Sequence, residues 1–473
     1  MLFQTPEFLV FFVTVAAAVA IARGRGRKLV LLIASWIFYG WWSPRFLVPL
    51  LITTFADYAI GLLLDGARTS RPQSLAVSAG DHSATGRDAR SLRTGRPRSG
   101  ARALVAISVA GNLSMLALLR IEPGLVHMAV PLGISFYTFH SISYIVDVYR
   151  GELPACRSPL DYALFIAFFP ELVAGPIVRG KQFLPQLARE VVVRIDEFAV
   201  MRVTRGLAKK VLIADNVAPF ANAVFADPAQ WPSIVIWTAT IAFAVQIYCD
   251  FSGYTDIAIG LAHVFGFELP VNFDHPYLAR DMRDFWRRWH ISLSTWLRDY
   301  VYIPLGGREH RVRNVMITML LGGLWHGTSW NFVLWGAMHG VLLCVMPSVV
   351  EAPGIAPAAR AGPSTTLGMT LLTQLCILFT WIAFRVREPH AMLAAMRKFV
   401  LFDFDFALAG RGLLTIFFFS TIALIFVFAI LHVRRFDPSR LRTPAFIAMC
   451  IGIGIAFFFL WPAEQTPFIY FQF

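Results

Sequence analysis

Apolar residues occupy most of the chain in long runs, interrupted by short basic stretches. Candidate spans or span-like runs are Phe8–Arg23, Leu29–Trp42, Leu47–Leu64, Ala103–Leu119, Val126–Val148, Tyr162–Gly175, Pro232–Tyr248, Ser252–Phe267, Val315–Met346, Leu367–Phe384, Leu413–Leu431 and Pro444–Leu460. A helix needs about twenty residues to cross ~30 Å of hydrocarbon. Several runs are shorter than that, and Val315–Met346 is long enough for one tilted helix or a tight pair. The pattern predicts an all-α multi-pass membrane protein with roughly ten to twelve crossings.

Composition agrees. Hydrophobic residues are 57% of the 473 positions and charged residues 15%, which is more apolar surface than a soluble fold hides. A net charge of +13 raises nucleic acid as a partner. The basic residues, however, sit in short loops between apolar runs, the positive-inside pattern, and no nucleic-acid partner is expected. The cluster Arg23–Lys28 follows the first run instead of preceding it, which is the wrong order for a cleaved signal peptide. It predicts an uncleaved first helix with its N-terminus outside. The next basic segment, Ala67–Arg102, comes two runs later and so returns to the same side. Five cysteines, Cys156, Cys249, Cys344, Cys376 and Cys450, show neither metal-ligand spacing nor a disulfide framework, and read as small core residues. No metal site is expected.

Residues 1–64 read as N-terminal transmembrane helices and 65–102 as a flexible, basic cytoplasmic loop rich in Ser, Gly and Arg. Residues 103–473 form the rest of the membrane core. Within it, Gly175–Pro219 has no window apolar enough to cross but keeps periodic hydrophobics, as helices at the cytoplasmic interface do. Tyr277–Arg313 has the same character, rich in arginine and carrying Trp286, Trp289, Trp296 and Tyr300. Near the C-terminus two basic groups, Arg385–Lys398 and Arg434–Arg442, are separated by one crossing, so both cannot be cytoplasmic. The second is read as cytoplasmic, with Pro389–Phe399 along the opposite surface.

The candidate chemistry centres on "LLGGLWHGTSWNFVLWGAMHG", Leu320–Gly340, where His326 lies at membrane depth. In one continuous helix Ser329 and Trp330 would share its face. His339, thirteen residues on and about 220° around, would face elsewhere. Gly322, Gly323 and Gly327 clear space beside His326. Intramembrane ionisable groups are costly and tend to be functional; the competing reading is a histidine tying two helices by a hydrogen bond. His290, in "FWRRWHISLSTWLRDY", has abundant polar company. Arg298 and Asp299 read equally as a local ion pair. Asp250 reads as the cap of a helix beginning near Ser252, and Asp256 stays open. Nucleotide-binding glycine loops, zinc patterns and nucleophile elbows are absent from the sequence.

"FWRRWHISLSTWLRDYVYIPLGG" (Phe285–Gly307) followed by Leu320–Gly340 resembles the membrane-bound O-acyltransferase (MBOAT) family, in its alginate O-acetyltransferase branch. Also similar are Pro131–Glu152, "FFPELVAGPIVRG" (Phe168–Gly180), "GLAKKVLIADNVAP" (Gly206–Pro219), Tyr248–Tyr277 and the terminal "PFIYFQF" (Pro467–Phe473). The resemblance covers nearly the whole chain except Ala67–Arg102, and makes 103–473 the catalytic core. It implies helices around a tunnel, with interfacial and re-entrant cytoplasmic helices. It places the family's membrane-embedded catalytic histidine on His326 and its second histidine on His290. Trp325, Trp289, Ser329, Arg298 and Asp299 are candidates for lining the substrate path, with plain aromatic packing as the alternative for the two tryptophans.

The implied activity is transfer of an acetyl group from a cytoplasmic donor, acetyl-CoA, across the bacterial inner membrane, for O-acetylation of an extracellular or periplasmic polysaccharide such as alginate. No bound cofactor is implied. The implied partner is a periplasmic SGNH-type acetyltransferase. Acyl transfer to an alcohol needs a base for the hydroxyl proton and stabilisation of the oxyanion. A neutral imidazole in low-dielectric surroundings suits the first task, with His290 orienting or polarising the acyl carbonyl. The rival readings are D-alanyl transfer to teichoic acid by an MBOAT protein, and a proton-coupled transporter. A transporter of this size often carries internal repeats with interrupted helices, and none is evident.

Overall fold

A computed structural model of the chain describes residues 1–69, 99–121, 133–348, 363–405, 413–435, 443–460 and 468. Every regular element among them is helical. In order they are α1 (Pro6–Ile21), α2 (Arg25–Gly40), α3 (Leu47–Thr69), α4 (Ser99–Ile121), α5 (Ile134–Arg150), α6 (Pro159–Ala167), α7 (Phe169–Leu172), α8 (Gly180–Leu187), α9 (Glu197–Leu207) and α10 (Asp215–Ala226). There follow α11 (Ser233–Val264), α12 (Met282–Arg288), α13 (Ile291–Leu297), α14 (Arg311–His326), α15 (Trp330–Val345), α16 (Pro363–Arg385), α17 (Pro389–Val400), α18 (Leu413–Val433) and α19 (Thr443–Leu460). Two π-helical stretches, Ala208–Ala214 and Arg298–Tyr302, continue α9 and α13. Most of the 65–102 loop lies outside the described residues, as does the Pro467–Phe473 motif apart from Phe468.

Among the described residues four helices are long and apolar enough to cross a bilayer: Pro44–Gly66, Gly100–Leu119, Ser233–Val264 and Leu367–Arg385. Shorter apolar helices are Pro6–Ile21, Trp330–Val345, Phe417–Val433 and Ile447–Phe457. The chain is an all-α, multi-pass membrane protein. Its exposed apolar side chains fall in stripes, such as Leu367, Leu371 and Leu375 on α16 and Ile52 and Phe55 on α3, as lipid-facing surfaces require. Helix starts follow local chemistry. Thr5 Oγ1 accepts from Phe8 N ahead of Pro6, Ser158 Oγ accepts from Asp161 N ahead of Pro159, and Asp196 Oδ1 accepts from Ala199 N.

Three expectations change, and one open alternative is decided. The runs Pro232–Tyr248 and Ser252–Phe267 are one helix of 32 residues, α11, buried along nearly its whole length. Asp250 is therefore no cap. It sits mid-helix, where Lys210 Nζ reaches it at 3.0 Å, and this pairing permits a carboxylate inside an apolar run. The run Tyr162–Gly175 breaks into α6 and α7, too short to cross. Val315–Met346 is the tight pair, α14 and α15, with the break at Gly327–Ser329.

The chain divides into two packed units: Met1–Ala22, Pro170–Val178 and Val191–Phe473 in one, and Arg23–Phe169 and Arg179–Glu190 in the other. The second packs an aromatic core of Tyr144, Tyr162, Phe165, Phe168 and Phe183. Its α3 and α4 are tied by the buried Asp57, which accepts from Ser108 Oγ at 2.6 Å and Asn112 Nδ2 at 2.7 Å. In the first unit α11 is the central helix, flanked by α9, α10, α16 and α18. Its backbone closes on α9 at Gly206 and Gly253; a Cβ at Gly206 would come within 2.5 Å of Gly253 O. The α14–α15 pair uses the same device, since a Cβ at Gly336 would lie 2.4 Å from Met319 O.

Candidate active site

The α14–α15 hairpin determines where His326 stands. As the last residue of α14 it is 5% exposed and enclosed by rings. Centroid distances are 4.7 Å to Trp325, 5.1 Å to Trp335 at 90°, 5.0 Å to Phe384 and 6.3 Å to Phe332. Because α14 ends there, Ser329 and Trp330 do not share its face. Ser329 is the cap position of α15, and Trp330 is 83% exposed. The antiparallel return instead brings Trp335 against His326 and His339 one turn beyond it, 4.7 Å from Trp335. The expectation that His339 faces elsewhere held only for a continuous helix. His339 Nε2 is 3.0 Å from Thr380 Oγ1, and that hydroxyl donates its own proton to Ile377 O. The imidazole must therefore donate from Nε2.

His290 joins α12 to α13 in the left-handed region, with φ 42° and ψ 54°. The conformation is held by an extended segment alongside it. Ile291 N donates to Asn272 O at 2.9 Å, and Asp274 N to Arg288 O at 2.9 Å. Asn272 Oδ1 accepts from Ser292 N at 3.1 Å and Ser292 Oγ at 2.9 Å, and lies 3.3 Å from His290 Nδ1. A backbone N–H only donates, so the accepting atom of Asn272 is its oxygen, and His290 Nδ1 must carry a proton. Nε2 then holds the lone pair. His290 lies outside the candidate spans, and burial pushes its imidazole down to about 3, so it is neutral at physiological pH. Asn272→Ala would strand two buried N–H groups, of Ser292 and the His290 ring, and the Ser292 hydroxyl. It is expected to destabilise the protein by about 1–3 kcal/mol, whereas Asn272→Asp keeps an acceptor and loses less. Thermal unfolding of the purified protein reads the difference, and equal loss in both variants would contradict this arrangement.

The two histidines are one indole apart: Trp325 is 5.8 Å from the His290 ring and 4.7 Å from His326. Trp289 packs among Phe285, Phe273 and Trp381. Arg298 and Asp299 pair with each other, Nε to Oδ1 at 2.6 Å and Nη2 to Oδ2 at 3.1 Å, with the Arg298 side chain 58% exposed. Trp335, Phe384, Thr380 and Asn272 were not found from sequence, and His339 was set aside as facing elsewhere. Trp335 and His339 carry a signal, spacing of four residues on one helix; Asn272, eighteen residues from His290, carries none.

Around Trp335 and Phe384, the rings packed on His326, several buried polar atoms have no hydrogen-bond partner among the described residues: Nε1 of Trp286, Trp335 and Trp381, Nδ1 of His339 and Oδ1 of Asn331. Trp335 lies 5.9 Å from Trp286 and 6.2 Å from Trp381. Buried polar groups are nearly always paired, so such a concentration beside one histidine marks a place fitted to a polar guest. An indole N–H is a donor only, and these donors suit a carbonyl oxygen gaining negative charge.

A multi-pass helical membrane protein with paired, buried histidines and donor groups about one of them has the parts of an acyl-transfer site. Residues 156–350, which contain both histidines, match the MBOAT, membrane-bound O-acyltransferase family. The chain is 37% identical to the probable alginate O-acetylase AlgI of Azotobacter vinelandii, over 93% of this chain and 87% of that protein. It is 30% identical to the peptidoglycan O-acetyltransferase of Helicobacter pylori, over 85% and 80%. It is 29% identical to the teichoic acid D-alanyltransferase of Streptococcus thermophilus, over 49% and 60%. The chain belongs to the membrane-bound O-acyltransferase family and is an O-acyltransferase.

Proposed function

We propose that the chain is an O-acetyltransferase that takes an acetyl group from acetyl-CoA on the cytoplasmic side of the bacterial inner membrane and delivers it for O-acetylation of an exported polysaccharide of the alginate type. The observation that carries this is the Trp335 indole donor packed against His326, with His290 one indole away. Relatives named for O-acetylation align over most of the chain, whereas the D-alanyltransferase aligns over about half, which favours acetyl over D-alanyl.

In the proposed reaction His326 removes the proton of the acceptor hydroxyl as its oxygen attacks the thioester carbonyl. The tetrahedral oxyanion takes a hydrogen bond from Trp335 Nε1–H. The C–S bond then breaks, and the thiolate leaves with the proton held on His326, giving free CoA thiol and an acetyl ester. His290, protonated at Nδ1, offers a lone pair at Nε2. Because the attacking hydroxyl's single proton goes to His326, Nε2 of His290 is suited to accept from a further hydroxyl or N–H of the acceptor and orient it, not to polarise the carbonyl. The acceptor hydroxyl belongs to the sugar itself or to a periplasmic SGNH-type partner that passes the acetyl group on. The tunnel implied by the family resemblance would join donor and acceptor at this pair.

Membranes containing the chain, supplied with acetyl-CoA, partner and polysaccharide, are expected to release free CoA thiol and form alkali-labile acetyl esters in equal amounts. Transfer from a D-alanyl carrier protein with none from acetyl-CoA would overturn this reading.

A further inference from the structure

Arg202 and Arg205 on α9 and Lys209 on the π-helical stretch after it lie along one helical face. All three converge on a single carboxylate of α11, Asp256. Arg202 Nη1 is 2.6 Å from Oδ1, Arg205 Nη2 2.7 Å from Oδ1 and Nε 2.9 Å from Oδ2, and Lys209 Nζ 2.8 Å from Oδ2. Lys209 also donates to Ser252 Oγ at 3.2 Å. The neighbouring Lys210 shows the contrast, being met by two carboxylates, Asp215 at 2.7 Å and Asp250 at 3.0 Å. Among the described residues Arg202 and Lys209 alone outweigh the charge of Asp256.

That surplus is not needed to hold α9 on α11. A single cation would balance Asp256, and the Gly206–Gly253 approach already closes the helices. Cations converging on one carboxylate repel one another, so a second anion among them lowers that repulsion. The group is open to one: the Arg202, Arg205 and Lys209 side chains are 17%, 29% and 20% exposed. It also lies beside the candidate active site. Lys209 Nζ is 5.4 Å from the Tyr248 ring centroid, and Tyr248 is 6.4 Å from Trp289, the residue next to His290.

We propose that Arg202, Arg205 and Lys209 form a phosphoryl-binding site. This rests on the acetyl-CoA reading for its ligand, the phosphates at the nucleotide end of the donor, held while the thioester reaches the histidines. Guanidinium forks match phosphate oxygens in pairs. A phospholipid headgroup is the other source of the same chemistry, since Phe198 and Val200 of α9 are exposed apolar residues.

Arg202→Gln tests the site without dismantling it, because Asp256 stays paired with Arg205 and Lys209. In one reconstituted bilayer the variant is expected to raise the KM for acetyl-CoA about tenfold more than the KM for acetyl-pantetheine, which lacks the nucleotide. Losing one charge-assisted hydrogen bond has this size. Equilibrium binding of adenosine 3′,5′-bisphosphate should weaken by a similar factor, and Arg202→Lys should recover most of both effects. Selective loss of co-purified phosphatidylglycerol, without an effect on the bisphosphate, would keep the phosphoryl site and assign it to lipid. The bisphosphate and lipid measurements need no turnover, so the site stands or falls separately from the acetyl-CoA reading. No change in any of the three would overturn the site.

Discussion

Replacing His326 with alanine is expected to lower acetyl transfer by about 100- to 10,000-fold, the range that a positioned general base contributes. The loss should fall on kcat, because the base acts on a proton that moves only as the new C–O bond forms. Alanine also leaves a gap among Trp325, Trp335 and Phe384, so a stability cost accompanies it. His326→Gln separates the two effects by refilling the space and retaining a polar head without a base. Release of CoA thiol by equal amounts of folded protein is the measurement. Glutamine and alanine variants that both transfer acetyl at the wild-type rate would remove His326 from the chemistry.

The second large effect is expected at Trp335. Trp335→Phe keeps a ring beside His326 but deletes the N–H that no other described group takes up. Removal of one oxyanion donor typically costs 100- to 1,000-fold in kcat, and a loss of about that order is expected here with KM little altered. Trp381→Phe is the comparison. Its indole lies beyond Trp335, 6.2 Å from it, and its loss should be smaller. If both substitutions cost the same, or act through unfolding alone, the indole of Trp335 is packing and no more.

Much of the fold was legible because a bilayer imposes one rule on every span: helical, apolar and about twenty residues long. The candidate spans at α3, α4 and α16 follow from that rule, and the shorter apolar helices α1, α18 and α19 fall on apolar runs of the sequence. The failures occur where a tertiary partner cancels a local signal. Asp250 looks like a cap because an isolated carboxylate cannot sit in an apolar helix; Lys210, forty residues earlier, removes the penalty and α11 runs through. Val315–Met346 was ambiguous because Gly327 ends α14 without any charged residue to mark the end.

The candidate site divides along the same line. His326 was found as a single residue at unusual depth and His290 amid polar company, and the family resemblance named both. The means that hold them were not legible. The Asn272 carbonyl that sets the proton position on His290 sits eighteen residues away in an extended segment. The Trp335 and Phe384 rings reach His326 only because the hairpin returns and α16 packs against it. Sequence order records none of those approaches.

The most direct measurement is a structure of the chain in lipid with a non-cleavable acetyl-CoA analogue, a thioether ketone in place of the thioester. The ketone oxygen is expected within hydrogen-bond reach of Trp335 Nε1, with the adjoining carbon facing the space between the His326 and His290 rings. An analogue whose acetyl end binds away from both rings, with His326 still closed among Trp325, Trp335 and Phe384, would contradict this placement.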